Sequence, residues 1–134
     1  MEIKMNIQTV IKAISAFFCA VITKFFGGFD AMLSVLICLV VIDYITGISA
    51  AGYMHKLSSK TGFMGIFKKI CIMSAVALSH LLGVVMGIDY LRSLVIGFYV
   101  ANEAISILEN IALTGVPLPK KLIEVLEQLK NGEK

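Results

Sequence analysis

Asn102, Glu103, Ser106, Glu109 and Asn110 lie inside a run of mostly apolar residues, 94–113, that is long enough to cross a bilayer. On a helix turning about 100° per residue, these five fall with Tyr99 and Arg92 within roughly 120° of one face. Leu94, Val100, Ala101, Ala104, Ile105, Leu108 and Ile111 take the other face. An ionised carboxylate facing lipid at mid-depth costs several kcal/mol, so Glu103 must face protein, a counter-charge or water. So many polar groups exceed what one buried partner can satisfy. The stripe either seals against polar groups of neighbouring helices or lines a wet path.

Other residues with chemical potential are scattered. Asp43 interrupts an apolar run, and two readings of it stand: a clasp to a neighbouring helix or a lysine, or part of a water path. His80 lies in another apolar run and reads as an interhelical hydrogen-bonder rather than a proton relay. Lys12 is a third potential partner for the stripe. Glu103 and Glu109 stand about two turns apart on one helix with no nucleophile near them in sequence, so they do not form a hydrolytic pair. No Gly-rich phosphate loop, HExxH, GxSxG or Cys/His constellation is present. Cys19, Cys38 and Cys71 sit in three different apolar stretches with no CxxC pair, and read as small buried hydrophobes. The chain is therefore read as a non-enzyme that takes no cofactor and no metal.

The elements that position these residues follow from composition. Of 134 residues, 58% are hydrophobic and 16% charged, with a mean hydropathy of +0.91; soluble domains run at about 45–50% and 25%. These values indicate an all-α integral membrane protein, a single domain over 1–134 with three to four hydrophobic helices and a short amphipathic one at the C-terminus. Residues 3–26 form an amphipathic first helix that either spans or lies in the interface, the uncharged run between Lys12 and Lys24 being short for a span. Although Lys4 and Lys12 precede an apolar core, no small-residue cleavage site follows, so the segment is expected to be retained. Spans are expected at 31–53, 70–86 and 91–113.

The basic residues set the expected topology. Lys56, Lys60, Lys68 and Lys69 crowd a connector, 54–69, that has no acidic residue, while the turn at 87–90 carries only Asp89. By the positive-inside rule the connector is cytoplasmic and the turn is outside. Gly115, Pro117 and Pro119 stop the last span, and Lys120 and Lys121 open an amphipathic tail helix over 117–131, suited to the inner membrane surface or a partner. The C-terminus is then cytoplasmic. A net charge of +3, with basic residues placed beside apolar segments, does not make a nucleic-acid footprint.

Several runs together resemble the phage holin family that includes the toxin-secretion holins encoded beside large clostridial toxins. These are Asp43-Tyr44-Ile45-Thr46-Gly47; Lys56-Leu57-Ser58-Ser59-Lys60 with Gly62; Gly65-Ile66 with Lys68-Lys69; and His80-Leu81-Leu82. They continue with Tyr99-Val100-Ala101-Asn102-Glu103, Ser106-Ile107-Leu108-Glu109-Asn110, and Gly115 through Leu122. The resemblance covers roughly residues 29 to 130 and leaves the first helix unmatched. It implies a protein of the bacterial host's cytoplasmic membrane that associates with copies of itself. It further implies lesions that release an endolysin or a toxin, with an antiholin as a possible partner, and it offers no catalytic residues. A selective ion or solute channel subunit and an antiholin stand as alternatives, and a scaffold acting through the tail is a further one. In the holin reading, the stripe packs against Asp43, Lys12 or His80 before triggering and faces water afterwards.

Overall fold

Two capping residues and two glycines set the ends of the helices. Asp30 precedes the second helix and accepts the Leu33 N–H at 3.0 Å, and Ser58 does the same for Thr61 at 3.1 Å at the start of the third. Gly27 and Gly87 follow the first and third helices with φ of 77° and 69°, the left-handed conformation that closes a helix without a Cβ penalty. The computed structural model describes residues 6–132 and contains five helices: α1 (Ile7–Phe26), α2 (Ala31–Tyr53), α3 (Ser59–Met86), α4 (Leu91–Leu113) and α5 (Lys120–Gly132). The fold is all-α. Residues 3–5 of the expected first helix lie outside the described residues.

Four helices, α1 to α4, are long and apolar enough to cross a membrane. Of these, α2, α3 and α4 pack together around Leu33, Leu36, Ile72, Val76 and Ile96, with Val40, Met73, Tyr99 and Val100 against that core. The outer surface is apolar: Val85 is 84% exposed, Val84 68%, Phe67 51% and Ile45 57%. Water would not tolerate such a continuous apolar coat, whereas hydrocarbon does. Helix α1 joins the core only through Ile22 and Phe26 and has no buried residue of its own.

The structure corrects the third span. It begins at Ser59 rather than residue 70, so the connector shrinks to residues 54–58 and Lys60, Lys68 and Lys69 lie on helix. Charge density suggested a loop, but Ser58 caps a helix whose early turns carry Phe63, Met64, Ile66 and Phe67. At about 1.5 Å per residue the 28 residues of α3 run about 42 Å, longer than a hydrocarbon core of about 30 Å. The tail helix starts at Lys120 instead of residue 117, because the Pro119 carbonyl accepts the N–H groups of Leu122 and Ile123 and opens the first turn.

Candidate functional site: a charged clasp between three helices

Asp43 is the thirteenth residue of the 23 in α2 and Glu103 the thirteenth of the 23 in α4, so each carboxylate sits near the middle of its helix. Lys69 reaches between them from α3. Its Nζ donates to Glu103 Oε2 at 2.5 Å and also pairs with Asp43 Oδ2. Glu103 is 2% exposed and Asp43 8%. Asn110, two turns after Glu103, donates through Nδ2 to Asp43 Oδ1 at 3.1 Å and to Thr46 Oγ1 at 3.1 Å. One ammonium and one amide thus satisfy both oxygens of Asp43 and one oxygen of Glu103. At a depth without water, each group would cost several kcal/mol if left alone.

Small residues allow this approach. A Cβ at Gly65 would stand 3.1 Å from the Tyr44 ring, tighter than ordinary contact, so any larger residue there would have to push the Tyr44 ring aside by a few tenths of an ångström. A Cβ at Gly47 would lie 3.5 Å from the Asn110 amide nitrogen, an ordinary contact that the site could accept. On the side toward Lys60 and Lys68, a cleft of about 420 Å³ runs between α2, α3 and α4 to Asp43, Lys69, Ser106 and Asn110. On the other side of Lys69 lies a larger groove of about 560 Å³, nearly all apolar, beneath Phe25, Phe26, Val40 and Met73.

A second polar centre closes the opposite end of the bundle. Arg92, in the first turn of α4, donates to Asp30 Oδ2 at 2.7 Å and Oδ1 at 3.1 Å, to the Gly28 carbonyl at 3.1 Å, and to the Phe26 carbonyl. A cation here answers the unpaired carbonyls at the end of α1 as well as the carboxylate. Hydrogen bonds from Arg92, then the Leu33 N–H, hold the Asp30 carboxyl down to about 2. Gly27 packs against His80, whose Nδ1 would lie 2.7 Å from a Cβ at that position.

The predicted residues therefore divide. Asp43, Glu103 and Asn110 meet in the clasp and Ser106 lines its cleft. Asn102 and Glu109 lie on the exposed side of α4. Tyr99 stacks edge-on against Phe98, with ring centroids 5.2 Å apart, beside the core. Arg92 and His80 belong to the second centre, not to the stripe's partners. Lys12 is exposed on α1 and meets none of these groups. Lys56, Lys60, Lys68, Lys120 and Lys121 are exposed. Lys69, grouped in sequence with the topology-setting lysines, is instead the clasp's cation. The signal for it was available: two carboxylates within spans demand a counter-charge, and a helix counted from the Ser58 cap carries Lys69 three turns in. Among the described residues, no group of three or more His, Cys, Asp or Glu side chains is placed to hold a metal.

Comparison with known proteins bears on this geometry. A family model described as the bacteriophage holin family matches residues 20–131. The chain is 45% identical over 120 residues to the uncharacterised protein Lmo0128 of Listeria monocytogenes, covering 87% of this chain and 85% of that protein. It is 36% identical over 134 residues to the uncharacterised BH0965 of Halalkalibacterium halodurans, covering 94% and 98%. An uncharacterised 14.9 kDa protein from the nagH 3' region of Clostridium perfringens is 41% identical over 113 residues, covering 81% and 84%. No solved structure matches the chain.

Proposed function

Because the chain belongs to the bacteriophage holin family, we propose that it acts as a holin: copies assemble in the bacterial cytoplasmic membrane and open lesions through which an endolysin or a toxin leaves the cell. The observation that carries this reading is the family match over residues 20–131, across helices of membrane length. The clasp supports it. Asp43 and Glu103 share the Lys69 ammonium inside a single chain, which lets these residues enter the bilayer at a lower cost than each would carry unpaired while copies accumulate. Five helices of one chain cannot enclose a hole wide enough for a folded enzyme, so passage requires many copies.

With four spans, the N-terminus, the loop at 54–58 and α5 share one side of the membrane. We place that side in the cytoplasm, since Lys56, Lys60, Lys120 and Lys121 lie there. In the assembled lesion, the cleft beside Asp43, Ser106 and Asn110 opens to water.

The test is inducible expression in a bacterium that carries a signal-less cytoplasmic endolysin, following culture density and the enzyme in the medium. Abrupt lysis after a delay, only with both proteins present, is the expected result. Depolarisation with the enzyme retained would replace the holin with a selective channel, and expression without killing would indicate an antiholin.

A further inference from the structure

The row of α4 that faces away from the clasp reads Phe98, Asn102, Ile105, Glu109 and Ala112, with successive spacings of four, three, four and three residues. This is the spacing of a helix-packing seam. Phe98 is 59% exposed, and Asn102, Glu109 and Ala112 are exposed with it. Asn102 is the twelfth residue of 23, about 17 Å along a helix of about 34 Å. Among the described residues its amide has no hydrogen-bond partner, unlike Glu103 and Asn110 on the inward side. Acyl chains offer neither donor nor acceptor at that depth.

An amide carries both a donor and an acceptor, so across a two-fold axis it is its own complement. Ala101 beside it lets two backbones come close, as small residues do between membrane helices. We infer that this face of α4 is a contact surface between two copies of this chain, with Asn102 of one copy hydrogen-bonded to Asn102 of the other. An amide pair at mid-helix also fixes register, since a slip along the helix leaves both amides unpaired. The inference rests on the assembly of copies proposed above and names its contact face.

Cross-linking tests it. In a chain whose three free, exposed cysteines are replaced (Cys19→Ala, Cys38→Ala and Cys71→Ala), Phe98→Cys or Ile105→Cys is introduced, leaving Asn102 in place. Membranes are oxidised with copper phenanthroline. The expected product has twice the chain mass, in several-fold higher yield than from Val85→Cys on the outward surface of α3. Adding Asn102→Leu should lower that yield at least threefold, and Asn102→Gln should restore part of it. Should either cysteine variant fail to accumulate, Ala112→Cys on the same row replaces it. Yields no higher than from Val85→Cys would overturn the inference. So would yields indifferent to Asn102→Leu, or labelling by a membrane-impermeant thiol reagent without cross-linking, which would mean that the row faces water. Enzyme release measured on the same cells separates the two ideas. Release without cross-linking removes the contact face alone; cross-linking without release keeps the face and removes the holin reading.

Discussion

Replacing Lys69 with methionine keeps the length and apolar stem of the side chain and deletes only its charge. The two carboxylates it bridges would then face each other across the core. With Glu103 Oε2 2.5 Å from Nζ and Asp43 on the same nitrogen, those oxygens are at most about 5 Å apart, and at an effective dielectric of about 20 their ionised forms repel by about 3 kcal/mol. Removing one partner of a buried ion pair generally costs about 3–5 kcal/mol, because a charge stays buried without compensation. The expected destabilisation of Lys69→Met is therefore about 3–5 kcal/mol. The triple variant Asp43→Leu, Lys69→Met, Glu103→Leu leaves no charge to desolvate, and should return to within about 2 kcal/mol of the parent. Reversible unfolding in mixed micelles, driven by a rising mole fraction of SDS and followed by far-UV circular dichroism, reads both. A Lys69→Met midpoint equal to that of the parent would refute the clasp as the element holding α2, α3 and α4. A triple variant no more stable than the single one would refute the electrostatic account of its loss.

Asn110→Ala removes the amide that serves Asp43 and Thr46; by the scale of interhelical hydrogen bonds in membranes it should cost about 0.6–1.7 kcal/mol in the same assay. Gly83→Ala would set a Cβ 2.8 Å from the Ile88 carbonyl oxygen, in backbone that closes the α3–α4 turn, for an expected loss of about 1–3 kcal/mol. Gly52→Ala meets open space and should be neutral or stabilising by up to about 1 kcal/mol. For Asp30, a folded-state value of about 2 against an ordinary 3.8 means that its contribution is complete above pH 3.8 and is lost as pH falls through about 2. Unfolding midpoints of the parent and Asp30→Asn should therefore differ near neutrality and converge toward pH 2; a constant gap across that range would refute the Arg92–Asp30 latch.

Much of the fold was legible because a bilayer imposes coarse rules. Met32 to Ile42 is nearly all large and apolar, and Gly27, Gly87 and Gly115 mark turns that leave few choices for the ends of α2 and α4. The start of α3 was not, because Lys60, Lys68 and Lys69 read as loop when charge is weighed by density alone. The Ser58 hydroxyl, capping the Thr61 N–H, marks the helix start instead, and Phe63, Met64, Ile66 and Phe67 fill its early turns. The site was half legible. Asp43 and Glu103 were visible as charges needing partners, but the partner lies on another helix, 26 residues from one and 34 from the other. Periodicity within one helix carries no information about such a pairing. The role of Arg92 was hidden for the same reason: its partners, the Asp30 carboxylate and the Gly28 and Phe26 carbonyls, lie on the far side of two helices, 62 to 66 residues earlier in the chain.

The polar stripe of α4 also shows what a helical wheel loses. Asn102 and Glu103 are neighbours about 100° apart on the helix, so a stripe of roughly 120° contains both. Yet that angle is wide enough for one to face the core and the other to face outward. On the inward row Glu103 and Asn110 find partners within the chain and Ser106 lines the cleft beside them, whereas on the outward row Asn102 has no hydrogen-bond partner among the described residues. Changes on the two rows should therefore act on different quantities. Asn110→Ala should lower the unfolding midpoint of one chain and leave the cross-linking yield at Phe98→Cys near that of the parent. Asn102→Leu should lower that yield and leave the midpoint unchanged or higher, since it removes an unpaired amide from the surface facing lipid. Were both variants to move both quantities together, the two rows would be one site, and folding of the chain and association of its copies would have to be explained as a single event.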